Sequence, residues 1–299
     1  MRLGLRHARR SPTGEPERRS GTRARRVSAP RSGALELVTI DPKELTDLEA
    51  VAVTVWWLGG AGFAINAAGR VILIDPVIEP KANSDPVASE IGLPLLVPLP
   101  IRARSIDRAD AVLLTHDHGD HTAPRTIPEL VARTHAVFVC TERTAKTLRN
   151  SGLGPQRIRI AQYGRTLKIG DMSITPTVAK HEEERGSTKR GDCCGFLIDA
   201  AGITIWHPGD TELMEEHLRV RDVDLLLLPI APHTLGTEDA AKLANATGAR
   251  HIIPCHYGTY DSDLYWCVGD PEAVGARIRD AATRYHVLAV GEKLVLPAD

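Results

Sequence analysis

The stretch that decides the fold is Ala-Val-Leu-Leu-Thr-His-Asp-His-Gly-Asp-His, residues 111–121. Its four apolar residues are typical of a buried strand, which ends where the polar residues begin. Four potential metal ligands then fall within six residues: His116, His118, Asp120 and His121. The stretch therefore predicts a metal site held at the end of a buried strand.

The spacing of these four side chains favours two ions over one. His116 and His118 are two residues apart, so a locally extended chain directs both rings to the same face. Asp120 and His121 are adjacent, and adjacent side chains diverge in an extended chain. We predict that the His pair binds one ion and that Asp120 and His121 bind a neighbouring ion, with further ligands from distant parts of the chain.

Three later residues are candidates for those further ligands. His181, Asp210 and His256 each lie within four residues of the end of a strand-like run. Any one of them alone is more often an ordinary polar residue than a ligand. Their recurrence in order after the His-rich motif makes a site for two metal ions the favoured interpretation.

Length and charge limit the classes of protein that fit. With 299 residues and 42% hydrophobic content, the chain can bury one large core. Lys plus Arg total 37 against 38 for Asp plus Glu, so no field of the whole molecule attracts nucleic acid or an acidic membrane. Five cysteines without a Cys-x-x-Cys spacing suit a reducing compartment, and no apolar stretch approaches the roughly 20 residues of a membrane span. We expect a soluble cytoplasmic protein without a membrane or nucleic-acid partner.

The first 33 residues differ in composition from the rest. They contain ten Arg and almost no large apolar side chains, so they cannot bury enough surface to offset the entropy of ordering them. We predict a disordered Arg-rich tail over residues 1–33, with a basic arm for nucleic acid as the alternative. Residues 34–299 are predicted to form a single domain.

The order of predicted elements from residue 51 onward indicates an α/β fold. Short apolar runs separated by Gly are typical of antiparallel strands. The run Val223–Ile230 contains four consecutive Leu, which is typical of a strand buried on both faces. Many strands interleaved with helices imply an αββα sandwich, in which two mixed sheets pack face to face with helices outside.

Local signals predict how particular elements begin and end. Thr126 opens a Thr-x-x-Glu capping box at the start of a helix. Asp270 followed by Pro predicts the start of another helix, whose apolar stripe extends to Tyr285. The chain is then predicted to end in a hairpin that joins the strands Val287–Val290 and Leu294–Leu296.

The order of the candidate ligands resembles that of the metallo-β-lactamase-fold hydrolases over residues 51–299. The pattern is His-x-His-x-Asp-His, a distant His, an Asp in Gly-Asp-Thr, and a final His. The stretches most similar to the ascorbate-6-phosphate lactonase-like branch are Trp57–Phe63, Ile72–Pro76, Thr115–His121 and His256–Thr259. The resemblance implies an αββα fold and two divalent transition-metal ions per chain, with Zn or Mn favoured and Fe as an alternative.

The resemblance also implies which residues bind each ion. One ion would be held by His116, His118 and His181, the other by Asp120, His121 and His256, with Asp210 bridging the two. Asp120 and Asp210 are therefore the candidate catalytic carboxylates. Two ions about 3.5–4 Å apart share a water, lower its pKa towards about 7 and present hydroxide as the nucleophile.

The substrate is left open by these motifs. We expect a small ester or lactone, including a sugar-phosphate lactone; the alternatives are a phosphodiesterase or nuclease and a non-catalytic metal-binding protein. The candidate substrate-binding residues lie near the ligands and are Lys180, Arg185, Arg190, His207, His233, Tyr257 and Thr259. Asp75 is a candidate for orienting a ligand His from behind. A homo-oligomer is also compatible with the sequence.

Overall fold

A computed structural model describes residues 38–181, 186, 188–262, 264 and 267–297. The predicted Arg-rich tail, residues 1–33, lies outside the described residues. Its disorder therefore stays a prediction, as does the start of a single domain at residue 34.

The first sheet contains seven strands within the described ranges. From edge to edge they are β15 (Lys293–Pro297), β1 (Ala52–Gly59), β2 (Gly62–Ala67), β3 (Arg70–Ile74), β6 (Ala111–Leu114), β7 (Val137–Cys140) and β8 (Ile158–Ile160). Strands β15, β1, β2 and β3 are antiparallel, whereas β3, β6, β7 and β8 are parallel. The strand that precedes the His-rich motif, β6, is therefore an internal parallel strand.

The second sheet contains six strands in the described part of the chain. Their order is β14 (His251–Cys255), β13 (Leu225–Pro229), β12 (Ile203–His207), β11 (Cys194–Ala200), β10 (Met172–Val178) and β9 (Leu167–Ile169). Strands β9 to β12 are antiparallel, and β12, β13 and β14 are parallel. A short hairpin of β4 (Pro80–Ala82) and β5 (Asp85–Ser89) forms a separate two-stranded sheet.

Successive residues of the strands face two different hydrophobic cores, because strand side chains alternate. In β13, Leu225 and Leu227 pack into the core between the two sheets, together with Phe63 of β2. Leu226 and Leu228 pack on the outer face of the second sheet instead. The run of four Leu is thus buried on both faces, as the sequence predicts.

Helices cover the outer faces of both sheets. The described residues form the α-helices α1 (Pro42–Leu45), α2 (Thr126–Arg133), α3 (Glu142–Asn150), α4 (Gly236–Thr247), α5 (Pro271–Gly275) and α6 (Ala281–Arg284). Leu130 of α2 and Leu148 of α3 pack on the first sheet, and Leu243 of α4 and Val274 of α5 pack on the second. The αββα sandwich is therefore confirmed. Within these residues, no helix has the length and apolar character needed to cross a membrane.

The C-terminal region differs from the prediction. Asp270 does cap a helix, since its Oδ1 accepts the N–H of Ala273 at 2.8 Å. The predicted single helix to Tyr285 is wrong, however, because α5 ends at Gly275 and α6 starts six residues later, at Ala281. The predicted strand Val287–Val290 is also wrong, and β15 pairs with the open edge of β1. The structure of this region depends on contacts with residues distant in sequence, and local periodicity carries no information about such contacts.

The start of α2 also differs from the predicted capping box. Thr126 is the first helical residue, and its hydroxyl donates to the carboxylate of Glu90. Glu90 Oε2 also accepts the N–H groups of Arg125 and Thr126, at 2.6 and 2.8 Å. The box partner Glu129 instead pairs with Arg133 one turn later, at 2.8 Å. A buried carboxylate distant in sequence therefore caps the helix.

Replacing Glu90 by Ala should lower the free energy of unfolding by about 3 kcal/mol, because buried N–H groups at the start of α2 would lose their acceptor. Urea denaturation would measure the change. The matched control is Glu129→Ala, which removes only a partly exposed ion pair and should cost no more than about 0.5 kcal/mol. If Glu129→Ala proved the more destabilising variant, the capping box would be the correct description.

Candidate metal centre

The seven predicted metal ligands come together where strands of both sheets end. Four of them follow β6 of the first sheet, and the other three follow β10, β12 and β14 of the second. Their donor atoms form groups in which all members lie within 4.8 Å of one another: His116, His118 and His181; Asp120, His121 and His256; and His116, His121 and Asp210. The first two groups match the two triads expected from the sequence.

The backbone of the motif is a turn, which corrects one expectation. The N–H groups of His121 and Thr122 both donate to the carbonyl of His118, at 3.0 and 2.7 Å. The adjacent side chains of Asp120 and His121 therefore do not diverge, and Asp120 Oδ2 lies 3.6 Å from His121 Nε2. The same carboxylate oxygen is 3.7 Å from His256 Nε2. The turn thus lets two neighbouring residues serve one triad.

Asp210 lies between the two triads. Its Oδ2 is 3.4 Å from His121 Nε2, 3.2 Å from His256 Nε2 and 3.9 Å from His181 Nε2. The side chain is 1% exposed. Burial alone would raise the pKa of Asp210, but the facing rings of His256 and His121 hold it well below its usual range. An ionised carboxylate therefore faces imidazoles of both triads, as a bridging ligand would.

Asp75 and Thr115 fix two of the imidazoles from behind. Asp75 accepts the N–H and the hydroxyl of Thr115, at 2.8 and 2.6 Å. Asp75 Oδ2 also lies 2.7 Å from His121 Nδ1, and Thr115 Oγ1 lies 3.0 Å from His116 Nδ1. Because Nδ1 of each ring is engaged, Nε2 is the atom left for a metal.

The contact between Asp75 and His121 agrees with the orienting role considered from the sequence. Thr115 is a residue that the sequence interpretation did not single out. Its position between the end of β6 and His116 is the only signal the sequence offers, and its hydroxyl contacts Asp75, His116 and His121 together.

Within the described ranges, several candidate ligands have buried donor atoms without a hydrogen-bond partner, as expected for a metal centre. Among the described residues, His116 Nε2, His181 Nδ1 and Asp210 Oδ1 are buried without a hydrogen-bond partner. A buried polar atom without a partner costs about 1–3 kcal/mol, so a ligand is expected at such a site. The donor set of imidazoles and carboxylates without Cys suits Zn, Mn or Fe.

The charges around the imidazoles also favour a cation. Burial alone would lower the pKa of His121, but the carboxylates of Asp210, Asp120 and Asp75 raise it well above its usual value. Burial lowers the pKa of His116 well below its usual value and that of His181 to about 4. Neutral imidazole is the form that binds a metal, and the surplus of carboxylate charge is what a divalent ion would neutralise.

Four of the predicted substrate-binding residues are Lys180, Arg185, Arg190 and His233. His233 enters the cluster itself, with Nε2 3.1 Å from Asp210 Oδ2 and a side chain that is 6% exposed. Lys180 Nζ lies 2.8 Å from Glu212 Oε2. Arg190 is exposed. Arg185 lies outside the described residues, so its predicted contact with substrate stays a prediction.

His207 is fully buried and lies beneath the ligand loop. Its Nδ1 accepts the N–H of Gly209 at 3.0 Å, so its Nε2–H donates to the carbonyl of Ala61 at 3.1 Å. Burial lowers the pKa of His207, in keeping with a neutral ring. Both ring nitrogens of His207 are therefore hydrogen-bonded to backbone groups, and these bonds stabilise the turn that leads to Asp210.

Thr259 and Tyr257 lie beside His256 and not in the cluster. Thr259 Oγ1 accepts the N–H of Gly60 at 2.8 Å, and the carbonyl of Gly60 accepts the N–H of His256 at 2.7 Å. His256 has φ +63°, a left-handed conformation that is uncommon for residues other than Gly. These bonds hold the strained backbone of His256, while Tyr257 stacks on Trp57 with ring centroids 5.2 Å apart.

Comparison with known proteins gives the class to which this fold and site belong. The family described as "Beta-lactamase superfamily domain" matches residues 70–257, which include all seven predicted ligands. The chain belongs to this superfamily.

Its relatives give a narrower description. The chain is 32% identical over 251 residues to a "UPF0173 metal-dependent hydrolase" of Thermococcus onnurineus and 30% identical over 249 residues to one of Pyrococcus furiosus. Each alignment covers 82% of this chain and 100% of the relative. The protein is accordingly a metal-dependent hydrolase.

A solved structure supports the fold. The isothiocyanate hydrolase from Delia radicum gut bacteria superposes with a TM-score of 0.64 at 20% identity, covering 82% of this chain and 99% of the other. At this level of identity the likeness concerns the architecture alone.

Proposed function

We propose that the protein uses two metal ions per chain to hydrolyse a small carboxylic ester or lactone. The observation that carries the proposal is the pair of donor triads that face Asp210 from two sides, with donor atoms within 4.8 Å inside each triad. One triad is His116, His118 and His181, and the other is Asp120, His121 and His256. Zn or Mn is the proposed metal, because the donors are imidazoles and carboxylates.

Some residues of the chain would hold the ions, and others would orient the reactants. When bound, two divalent ions supply a water that is activated near neutral pH and polarise the scissile group. Asp75 and Thr115 keep the rings of His116 and His121 turned into the site. Asp210 Oδ1, which is buried and has no hydrogen-bond partner among the described residues, is the acceptor we assign to the attacking water.

Hydrolysis of a phosphodiester is the second candidate. It would need cations directed at the substrate, and Lys180 is engaged with Glu212 at 2.8 Å. The near balance of 37 basic and 38 acidic residues also argues against a nuclease. We therefore favour an uncharged ester or lactone group, and place a sugar-phosphate lactone below a simple lactone.

Two further proposals concern the setting of the enzyme. A cytoplasmic location fits the five cysteines, which are all buried free thiols. A small-molecule substrate fits a reaction centre whose candidate ligands are mostly buried. Association into a homo-oligomer stays a prediction.

Metal analysis combined with a substrate panel tests the proposed function. Purified protein should contain close to two transition-metal ions per chain, and the metal-reconstituted enzyme should hydrolyse a lactone or aryl ester faster than a phosphodiester. Chelation should remove the activity, and added Zn²⁺ or Mn²⁺ should restore it. Full activity without metal would contradict the proposal, and turnover of phosphodiesters alone would favour the second candidate.

A further inference from the structure

The loop after β13 contributes a residue that the two triads do not include. Strands β12, β13 and β14 are parallel neighbours, so their carboxyl ends meet at one edge of the sheet. Asp210 follows β12 and His256 follows β14, and His233 follows the strand between them. The middle strand therefore delivers its own imidazole to the same place.

His233 lies among the candidate ligands. Its Nε2 is 3.1 Å from Asp210 Oδ2, and its ring lies 5.5 Å from that of His181 and 4.8 Å from that of His256, between centroids. The donor atoms of His181, Asp210 and His233 all lie within 4.8 Å of one another. This group therefore meets the same distance limit as the two triads.

The loop that carries His233 is also fixed by its own backbone. The N–H groups of Thr234 and Gly236 both donate to the carbonyl of Ala231, at 2.9 and 3.1 Å. These bonds fix the backbone on either side of His233, and a donor carried by a rigid loop suits a metal site.

We propose that His233 is an eighth metal donor, which binds the ion of the His116, His118 and His181 triad. The inference rests on the proposed two-metal function. The additional donor makes the two metal sites chemically different. The site with His116, His118 and His181 becomes rich in imidazole, whereas the other site has Asp120 beside two imidazoles. Imidazole suits Zn and Fe, whereas carboxylate suits Mn, so the position that includes His233 should prefer Zn²⁺ to Mn²⁺.

The other explanation for the position of His233 is a hydrogen bond to Asp210 without contact to a metal. Two variants separate the explanations. His233→Ala removes both functions, whereas His233→Gln keeps an N–H that can reach Asp210 but offers no imidazole. His251→Ala is the matched control, because His251 lies at the opposite end of β14 from His256 and pairs with His286 at 3.0 Å.

The experiment is titration of metal-free protein with Co²⁺, followed by the visible absorption spectrum and by the number of ions bound. For both His233 variants we expect the visible spectrum of the first bound Co²⁺ to change. We also expect the affinity for this ion to fall by at least about 10-fold. The spectrum and the affinity of His251→Ala should equal those of the wild type. Competition should also show a smaller preference for Zn²⁺ over Mn²⁺ in both variants.

A wild-type spectrum and affinity in His233→Gln would overturn the inference, since a hydrogen bond to Asp210 would then account for the contact. This failure is distinct from failure of the proposed function. If wild-type protein bound no Co²⁺, the two-metal function itself would be contradicted.

Discussion

Asp210→Ala should lower the hydrolytic kcat/KM of the metal-supplied enzyme by at least about 10⁴-fold, which corresponds to about 5.5 kcal/mol of activation free energy. The reason is that Asp210 faces both triads, with Oδ2 3.2 Å from His256 Nε2 in one and 3.9 Å from His181 Nε2 in the other. Its removal would take away a shared ligand and the acceptor proposed for water, and would lower the negative charge that the site offers to two cations.

The measurement uses whichever ester or lactone the wild-type enzyme hydrolyses fastest, at saturating metal. Asp210→Asn keeps the shape of the side chain and should lose activity to a similar degree, because the charge and not the volume is required. Asp239→Ala, an exposed carboxylate on α4, is the control and should behave as wild type. Retention of more than about a tenth of wild-type kcat/KM in Asp210→Asn would contradict the bridging role.

Asp75→Asn should weaken metal binding by about 10–100-fold, although Asp75 belongs to neither triad. Asp75 is fully buried and accepts from both Thr115 and His121, so loss of its charge releases the ring that binds through Nε2. Asn tolerates the left-handed φ of +40° at this position, which separates the effect of charge from backbone strain.

Calorimetric titration of metal-free protein with Zn²⁺ would measure the effect of Asp75→Asn. Thermal unfolding of the metal-free variant would show that the fold is retained. Asp171→Asn is the control, since Asp171 is 76% exposed and pairs with Arg70 on the surface. Affinity equal to that of wild type in Asp75→Asn would mean that Thr115 alone orients the imidazoles.

The parts of the molecule that could be predicted are those in which residues near in sequence carry the signal. The four consecutive Leu of β13 and the apolar run of β6 predicted buried strands, because runs of apolar residues are typical of strands that are covered on both faces. The spacing within the His-rich motif favoured two ions over one, and the family resemblance implied the two triads. The order in which His181, Asp210 and His256 follow strands extended the prediction to the whole site.

The parts that could not be predicted depend on partners far apart in the chain. The helix cap at Thr126 is Glu90 and not the neighbouring Glu129, because Glu90 lies buried against α2 in the folded chain. The last strand pairs with β1, which is more than two hundred residues earlier. Neither contact leaves a periodic trace in the sequence.

The sequence by itself predicted the αββα architecture and the four candidate ligands of the His-rich motif, because strand patterns and the clustering of donors are local properties. The family resemblance extended the candidate ligands to His181, Asp210 and His256. Only the tertiary structure decided which donors face one another. In the folded chain, Asp120 and His121 point to the same side, and the ring of His207 is hydrogen-bonded to the backbone. His233 lies 3.1 Å from Asp210. The physical reason is that the ends of parallel strands share one edge of a sheet, so loops distant in sequence meet there.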